Sequence, residues 1–378
     1  MDTLTHALSG ALVGRLLAPR RPANASACPA RSAEASRSPT LPVWQAVIAG
    51  TLAAIFPDLD FVLGWISELT YLKGHRGVTH SLILLPLWGL LITWPLLHLW
   101  RHRHTPASRP RLYLIVCAAL LVHILGDLIT QFGTMILSPF SDRRFALGTT
   151  FIIDLPFTGI ILAGLLGSAL LRHSRTPAAL SLLLLCGWVG LSAIGRSEAL
   201  QAARDHARAL GIDPVSVDAS PRPASPFNWT AIVFDGTYYH FAHINTRRST
   251  PMQATPKDHF IRRFSAPYQP VSMAQWERRA HLGEGLDEPV RTRVNQVWQA
   301  ETFAMFRWFF SFPVLDRVDH DQATGTTCIS FLDLRFLTPA RDQRPFRYGL
   351  CGQAGDTPTD WRLFERTTDD SPRWINLR

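Results

Sequence analysis

Two polar clusters interrupt the apolar first half of the chain, and their residue types are those that bind divalent metal ions. The first comprises PDLDF and GHRGVTHS, which carry Asp58, Asp60, His75 and His80. The second is HILGDLITQFGT, residues 123–134. Ionisable side chains at membrane depth cost free energy and are usually kept for function. Histidines and carboxylates gathered in this way predict a divalent metal site at one face of a membrane.

His123 and Asp127 in the second cluster are four residues apart. On a helix this spacing places both on one face, so that an imidazole and a carboxylate can reach the same ion. The same pair can also form an intramembrane hydrogen bond that only holds helices together. The acids of the first cluster can serve as ligands, as a general base or as a helix-cap pair. We assign the catalytic role to Asp58 and Asp60, and we assign metal binding to His75, His80, His123 and Asp127.

Two further candidate ligands and three arginines lie near these clusters. His6 and Asp154 are the candidate ligands. His6 can instead be an ordinary buried histidine, and Asp154 a helix cap. The arginines suit an anionic group such as phosphate, because a guanidinium binds its oxygens bidentately. Extension of the same side chains to lipid headgroups is the alternative. The candidate substrate-binding residues are Arg76, Arg143 and Arg144.

The composition is uneven along the 378 residues, which suffice for a membrane domain and a separate soluble domain. The long apolar runs lie within residues 43–195, whereas residues 196–378 have the composition of a polar globular domain. The net charge of +9 comes largely from short loops beside the apolar runs and from scattered arginines. This distribution fits membrane orientation and contact with anionic lipid. No nucleic-acid-binding module is recognisable, and we expect no nucleic-acid partner.

Apolar segments organise the first half of the chain. Residues 3–18 predict a short helix of about 24 Å, slightly less than a full membrane crossing. The longer segments approach the roughly 20 residues that a crossing requires. They are residues 43–66, 81–100, 112–138, 151–171 and 178–195.

The loops between these segments alternate in charge. Loops 19–42, 101–111 and 172–177 are rich in arginine, and the others are mixed. The positive-inside rule therefore places the basic loops in the cytoplasm and the chain after Arg196 on the periplasmic side. With this topology the polar positions of four segments converge at the outer face. The opening residues lack a positively charged n-region, so we expect no cleaved secretory signal.

The second half mixes strand and helix patterns. Residues 228–245 and 328–336 have the alternation and the β-branched and aromatic content of strands. Residues 290–309 have the periodicity of an amphipathic helix. An α+β domain is therefore expected, in which Cys328 and Cys351 can form a disulfide if the compartment is oxidising.

The predicted fold class is an all-α polytopic membrane domain followed by an α+β soluble domain. The membrane domain covers residues 1–195, and the soluble domain, which we expect to be periplasmic, covers residues 196–378.

Taken together, the motifs resemble the YdjM-type inner-membrane proteins, which are described as metal-dependent hydrolases. The resemblance covers roughly residues 1–195 and rests on MDTLTHALSGALVG, FPDLD, GHRGVTHS, HILGDLITQFGTMILSPFSDRRF and IIDLPFT. It implies a multi-pass protein of a bacterial inner membrane. It also implies a site composed of His6, Asp58, Asp60, His75, His80, His123, Asp127 and Asp154.

We therefore expect a membrane-bound, metal-dependent hydrolase. A mixed histidine and carboxylate set favours zinc or manganese over calcium or magnesium. The expected substrate is a phosphoester of a lipid or lipid-linked molecule, since the site lies at headgroup level beside arginines. An amide or an ester is chemically open as well. The alternative is a non-enzymatic transporter or scaffold whose cluster carries an ion or holds helices together.

Overall fold

The structure, a computed structural model, divides into two compact units. The predicted boundary at residues 195 and 196 falls close to one of the observed divisions. Of the predicted arginine-rich loops, residues 20–40 and 101–107 lie outside the described residues, whereas Arg109 and Arg111 lie in the first turn of a helix. The first unit comprises Met1–Leu63 and Gly74–Ser192, and the second comprises Gly64–Lys73 and Ala193–Arg378. The described residues are 1–19, 41–100, 108–339, 344–353, 355–357 and 360–375.

The first half of the chain is built from helices, which confirms the predicted class. Asp2 caps the first of them by accepting a hydrogen bond from the Thr5 amide at 3.0 Å. Pro57 lies where the second helix passes into a 3₁₀ segment. The α-helices are α1 (Thr3–Leu17), α2 (Val43–Ile55), α3 (Glu68–Gly74), α4 (Leu85–Leu99), α5 (Arg109–Leu128), α6 (Leu155–Leu170) and α7 (Thr176–Ala209), and 3₁₀ segments cover Phe56–Trp65 and Val78–His80.

Among the residues that the structure describes, three helical segments are long and apolar enough to cross a bilayer. They are Val43–Trp65, Arg109–Leu128 and Thr176–Ala209. A fourth span results if Glu68–His80 and Leu85–Leu99, which meet at 82°, are counted together. At 16 residues, α6 is a shorter apolar helix than the usual requirement of about 20.

The predicted span over residues 112–138 is wrong at its C-terminal end. Helix α5 ends at Leu128, and the apolar residues that follow form a loop. In this loop Thr134 pairs with Phe145 as an isolated antiparallel bridge. The amide of Leu147 donates to the Leu128 carbonyl at 2.7 Å, so the loop provides a hydrogen-bond donor for a carbonyl at the C-terminus of the helix. The apolar composition of this stretch reflects a packed loop and not a continued span.

The predicted end of the last span at residue 195 is also wrong, because α7 continues to Ala209. Its last part carries Ala199, Ala203 and Ala207 at four-residue spacing, and all three are buried in a core of the second unit. A polar sequence with small residues on one face thus remains helical, since that face is covered.

Helices α1 and α2 pack with their backbones in contact. A Cβ on Gly10 would lie 2.2 Å from the Gly50 carbonyl oxygen, and a Cβ on Gly14 would lie 2.2 Å from that of Ala46. Small residues four apart allow such an approach in membrane helices. The pairing shows that the helices run antiparallel, so the beginning of α1 lies beside the end of α2.

The described residues of the second unit form two five-stranded sheets beside short helices, which confirms the α+β class. The first sheet has the order β1-β2-β3-β4, with β5 pairing with β3, and the second has the order β10-β9-β8-β7-β6. The pairing is antiparallel except between β3 and β4. The strands are β1 (Ser216–Pro221), β2 (Asn228–Phe234), β3 (Tyr238–Asn245), β4 (Gln269–Pro270), β5 (Glu277–Ala280), β6 (Pro313–Asp321), β7 (Thr326–Asp333), β8 (Tyr348–Gln353), β9 (Arg362–Arg366) and β10 (Pro372–Trp374). The helices are α8 (Phe260–Ser265), α9 (Glu288–Gln299) and α10 (Ala304–Phe309).

The predicted elements of this unit differ from the structure in detail. Residues 228–245 form the hairpin β2–β3, and the strand predicted over 328–336 ends at Asp333. The helix predicted over 290–309 is broken at Ala300, whose ψ of 139° is not helical. Arg307 stabilises the break by donating to the Ala300 carbonyl at 2.8 Å.

A disulfide and two hydrogen bonds connect distant parts of the second unit. Cys328 and Cys351 face each other on β7 and β8 and form a disulfide. Glu68, from the segment inserted between the two parts of the first unit, accepts a 2.6 Å hydrogen bond from the Tyr348 hydroxyl and another of 2.6 Å from Arg373. These bonds explain why residues 64–73 group with the second unit, which the sequence did not predict.

The contact between α1 and α2 predicts that an alanine at Gly50 destabilises the protein, whereas an alanine at Gly187 does not. Gly50→Ala places a Cβ 2.2 Å from the Gly10 carbonyl oxygen. We expect it to destabilise the protein by about 1–3 kcal/mol, as overpacking does. Gly187→Ala is the control, because a Cβ there meets nothing within 4 Å. Thermal unfolding in detergent measures both, and a wild-type midpoint for Gly50→Ala would contradict the close packing.

Candidate metal centre

Side chains from three parts of the first unit converge at one place. His6 lies on α1, Asp58 on the 3₁₀ segment after α2, and His123 and Asp127 on α5. One ligand atom from each of these four residues lies within 4.8 Å of the other three. Both histidines and Asp127 are buried, and the Asp58 side chain is 13% exposed. This group can hold a metal ion.

The helices fix the positions of these ligands. His123 Nε2 lies 3.6 Å from Asp127 Oδ2, as the four-residue spacing predicts. The beginning of α1 brings His6 against α5, where its ring stacks on His123 with centroids 3.7 Å apart. Gly126 makes room for this contact, because a Cβ there would lie 3.2 Å from His6 Cε1.

The tautomer of His123 follows from a backbone contact. Its Nδ1 lies 2.6 Å from the Ala54 carbonyl oxygen, which can only accept a hydrogen bond. Nδ1 therefore carries the proton, and Nε2 of the neutral ring presents a lone pair to the cluster. This lone pair lies 3.6 Å from Asp58 Oδ1.

A second imidazole, that of His80, faces the first. Its Nδ1 lies 3.0 Å from Thr79 Oγ1, and its Nε2 lies 3.0 Å from His123 Nε2 and 3.1 Å from Asp127 Oδ2. When His80 Nδ1 accepts from Thr79, His80 Nε2 can donate to the lone pair of His123 Nε2. In the other tautomer two lone pairs face each other, and a bound cation between them would remove their repulsion.

Asp60 and His75 lie outside the group of four. Asp60 Oδ1 lies 2.9 Å from His75 Nδ1, and Oδ2 accepts a hydrogen bond from the Arg76 amide at 3.0 Å. Asp60 Oδ2 is also 3.6 Å from His80 Nδ1. These contacts position the turn that carries His80.

Arg76 is the arginine that reaches the cluster. Its guanidinium lies 2.8 Å from Asp127 Oδ1 and donates to Thr130 Oγ1 at 2.9 Å. It also lies 4.9 Å from the centre of the Phe132 ring. The φ of 60° places Arg76 in the left-handed region, a conformation that non-glycine residues adopt mostly where surroundings enforce it.

The environment of Asp127 fits a metal. Its Oδ1 is paired with Arg76 and with the amino group of Met1. Its Oδ2 is buried and lies 3.1 Å from His80 Nε2 and 3.6 Å from His123 Nε2. A buried carboxylate oxygen beside two facing imidazole nitrogens is a donor set that suits a divalent transition metal.

The remaining predicted site residues have other contacts. Asp154 caps α6, accepting hydrogen bonds from the Phe157 amide at 2.9 Å and from Trp188 Nε1 at 3.0 Å. Both of its oxygens are thus engaged, and the cap alternative describes it. Arg143 lies over the Phe145 ring, at 5.0 Å.

Arg144, the last predicted substrate-binding residue, lies against Phe132. Its guanidinium is 4.6 Å from the centre of that ring and donates to the Phe132 carbonyl at 2.5 Å. The same ring contacts Arg76 on the cluster.

Sequence reasoning missed several groups that orient the site. Thr3 donates to Asp58 Oδ2 at 2.7 Å, and Thr130 supports Arg76. A threonine hydroxyl or a backbone carbonyl such as that of Ala54 carries no motif that would reveal its role. The glycines at positions 10 and 14 were a detectable signal, since their spacing is typical of close helix contacts.

Comparison with known proteins gives a family match over this half of the chain. The model of a family described as YdjM inner membrane protein matches residues 1–199. The chain is also similar to "Uncharacterized protein YfhP" of Bacillus subtilis (strain 168), with 29% identity over 157 residues. That match spans 42% of this chain and 42% of the relative, so well under two thirds of either. No solved structure matches the chain significantly.

The geometry predicts which variants lose metal. We expect the purified wild type, loaded with zinc or manganese, to retain about one ion per chain. His123→Ala/Asp127→Ala should lose it, because two donors are removed. Asp154→Asn is the control, since its amide oxygen still caps α6 and only the Trp188 hydrogen bond is lost. Elemental analysis of the folded proteins decides, and loss of metal in Asp154→Asn would show that this residue is a ligand after all.

Proposed function

The chain belongs to the YdjM inner membrane protein family, and from this premise we propose that it is a membrane-bound, metal-dependent hydrolase of phosphoesters. The observation that carries the proposal is the group formed by His6, Asp58, His123 and Asp127, whose ligand atoms lie within 4.8 Å of one another. Imidazole and carboxylate donors in one buried group are typical of hydrolytic metal sites.

Zinc or manganese is the ion we favour. The group contains two imidazoles and two carboxylates, whereas calcium and magnesium prefer oxygen ligands alone. Such an ion makes a nucleophile available from water at neutral pH and polarises a phosphoryl oxygen.

Asp58 is better placed than Asp60 to act as the general base. Asp58 is the most exposed member of the group, and its Oδ1 faces the cluster while Oδ2 is held by Thr3. Asp60 uses both of its oxygens on His75 and the Arg76 amide. We therefore assign proton transfer to Asp58 Oδ1 instead of a ligand role, which leaves His6, His123 and Asp127 as ligands, and we assign a positioning role to Asp60.

Arg76 is the residue we assign to the anionic group of the substrate. Its guanidinium lies at the cluster, is held from the side by Thr130 and pairs with Asp127. A planar guanidinium binds two phosphoryl oxygens in parallel. The 3₁₀ segment beside it exposes Leu59 and Phe61 at 45% and 49%. This apolar surface next to the acids supports a lipid or lipid-linked substrate.

The chain is an inner-membrane protein, and we place its second unit in the periplasm. The arginine-rich loops support this orientation through the positive-inside rule. The disulfide between Cys328 and Cys351 is a second support, because disulfides persist in oxidising compartments.

One observation favours the rival function, a scaffold or a transporter. Arg76 already pairs with Asp127 in the buried cluster, and such an ion pair can hold a turn to a helix without any reaction. In that case the cluster binds an ion or joins helices, and no turnover accompanies it.

Turnover assays separate the two functions. With zinc or manganese, we expect hydrolysis of bis-p-nitrophenyl phosphate or of a short-chain phosphatidic acid. His123→Ala should reduce it by at least about a hundredfold, since a donor of the group is lost. Asp154→Asn should keep it. Metal binding without turnover of these phosphates or of p-nitrophenyl acetate would leave the scaffold or transporter.

The orientation of the second unit is tested separately. Alkaline phosphatase fused after Ile375 should be active, because the enzyme matures only in the periplasm. The same fusion after Arg175, in the basic loop between α6 and α7, should be inactive. The opposite pattern of activities would invert the topology.

A further inference from the structure

A cavity of about 930 Å³ opens in the first unit at the end opposite the metal centre. It is lined by the C-terminal parts of α1 and α6 and by the N-terminal part of α2. Arg15 in its wall lies nine residues after His6, about 14 Å further along the axis of α1. Thr158 of α6 contacts Thr5 near the centre, and the cavity begins only at Leu165. None of its described lining residues belongs to the metal centre.

Two arginines and a histidine line the cavity. They are Arg15, Arg172 and His173, and no acidic residue is among the described lining residues. Arg15 is buried and donates to the carbonyls of Arg172 at 2.9 Å and of Ser174 at 2.7 Å, so it is fixed in the wall. Arg172 is exposed, and its Nε donates a long hydrogen bond of 3.4 Å to the Ala169 carbonyl. The cavity therefore attracts an anion.

A buried hydroxyl independently indicates a ligand. Ser168 lines the cavity and is 4% exposed, and its Oγ has no hydrogen-bond partner within the described residues. It lies near the end of α6, and Arg172, which follows the end of that helix, lines the same cavity. A buried polar atom normally has a partner, and a phosphate oxygen would accept this hydrogen bond.

The rest of the wall is apolar. Trp44, Val47 and Ile48 of α2 and Leu165 of α6 form it. Trp44 and Ile48 are 46% and 41% exposed on a helix that can cross a bilayer. Tryptophan is enriched at the level of the lipid headgroups, where its ring contacts both phases. A ligand that satisfies both walls has an anionic head and an apolar tail.

We infer that this cavity binds an anionic phospholipid. Its phosphate contacts Arg172, His173 and the hydroxyl of Ser168, and its acyl chains lie along Trp44 and Ile48. A zwitterionic lipid is disfavoured because its ammonium group meets the same arginines. Free phosphate gains nothing from the apolar wall. The bound lipid joins α1, α2 and α6 at the end of the unit that the metal centre does not hold.

The test uses the full chain in dodecyl maltoside, titrated with phosphatidylglycerol. Native mass spectrometry counts the bound lipid, and the midpoint of thermal unfolding is measured in parallel. We expect saturable binding that raises the midpoint. Arg172→Gln should weaken binding about tenfold, since it removes a charge-assisted hydrogen bond. Arg111→Gln removes the same charge from an exposed position at the same end of the unit, on α5, and should bind as the wild type does.

Ser168→Ala separates binding from folding. Without lipid its midpoint should equal or exceed that of the wild type, because an unsatisfied hydroxyl is removed. The rise caused by phosphatidylglycerol should be smaller than in the wild type. If Ser168 were only structural, the substitution would lower the midpoint measured without lipid. It would leave the rise caused by phosphatidylglycerol unchanged, and this result would overturn the assignment.

Three other outcomes would also overturn the proposal. Equal binding of phosphatidylcholine would mean that only the apolar wall acts. Inorganic phosphate that binds as tightly as the lipid would make the cavity a site for a free anion. Lipid binding that appears only after residues 22–38 are replaced by a Gly/Ser linker would mean that this segment of the chain is the occupant.

Discussion

A carboxylate that is removed from water must be matched by positive charge or by hydrogen-bond donors, because an isolated buried charge is too costly. Asp127 imposes this requirement on the first unit. The matching groups come from distant parts of the chain: Arg76 and His80 from one turn, and His6 from α1. α1, that turn and α5 therefore have to meet at one place. The loop after α5 takes part as well, since Thr130 supports the Arg76 guanidinium.

The imidazoles of His123 and His80 are each oriented by a hydrogen-bond contact at Nδ1, on the side away from the cluster. His123 is fixed by the Ala54 carbonyl and His80 by Thr79, so that both Nε2 atoms point inward. His80 Nε2, His123 Nε2 and Asp127 Oδ2 all lie within 3.6 Å of one another. Three potential metal donors thus meet at one buried place, which is why we rank metal binding above a purely structural role.

The sequence was sufficient for the fold class and for the residues whose spacing fixes their geometry. Apolar runs and strand alternation depend on local periodicity, and His123 and Asp127 share a face on any helix. The ends of elements were less predictable, since the loop over residues 129–138 is apolar and its one glycine, Gly133, is of a type that membrane helices also contain. The sequence could not show either whether Asp154 caps a helix or binds a metal. An aspartate before an apolar helix has the same local sequence whether it caps or binds metal, and only Trp188, distant in sequence, shows which.

The short helix α1 has a consequence for the time course of synthesis. With 15 residues it is too short to be held well in a bilayer by its own apolar surface, so it depends on the backbone contact with α2 and on α5. The partner of His6, Asp127, is made 121 residues later. At about 5–20 residues per second the ribosome needs roughly 6–24 s for that interval. During this interval α1 has no contact with α5, because α5 has not yet been made. A factor that shields nascent membrane helices would act on α1 in this interval.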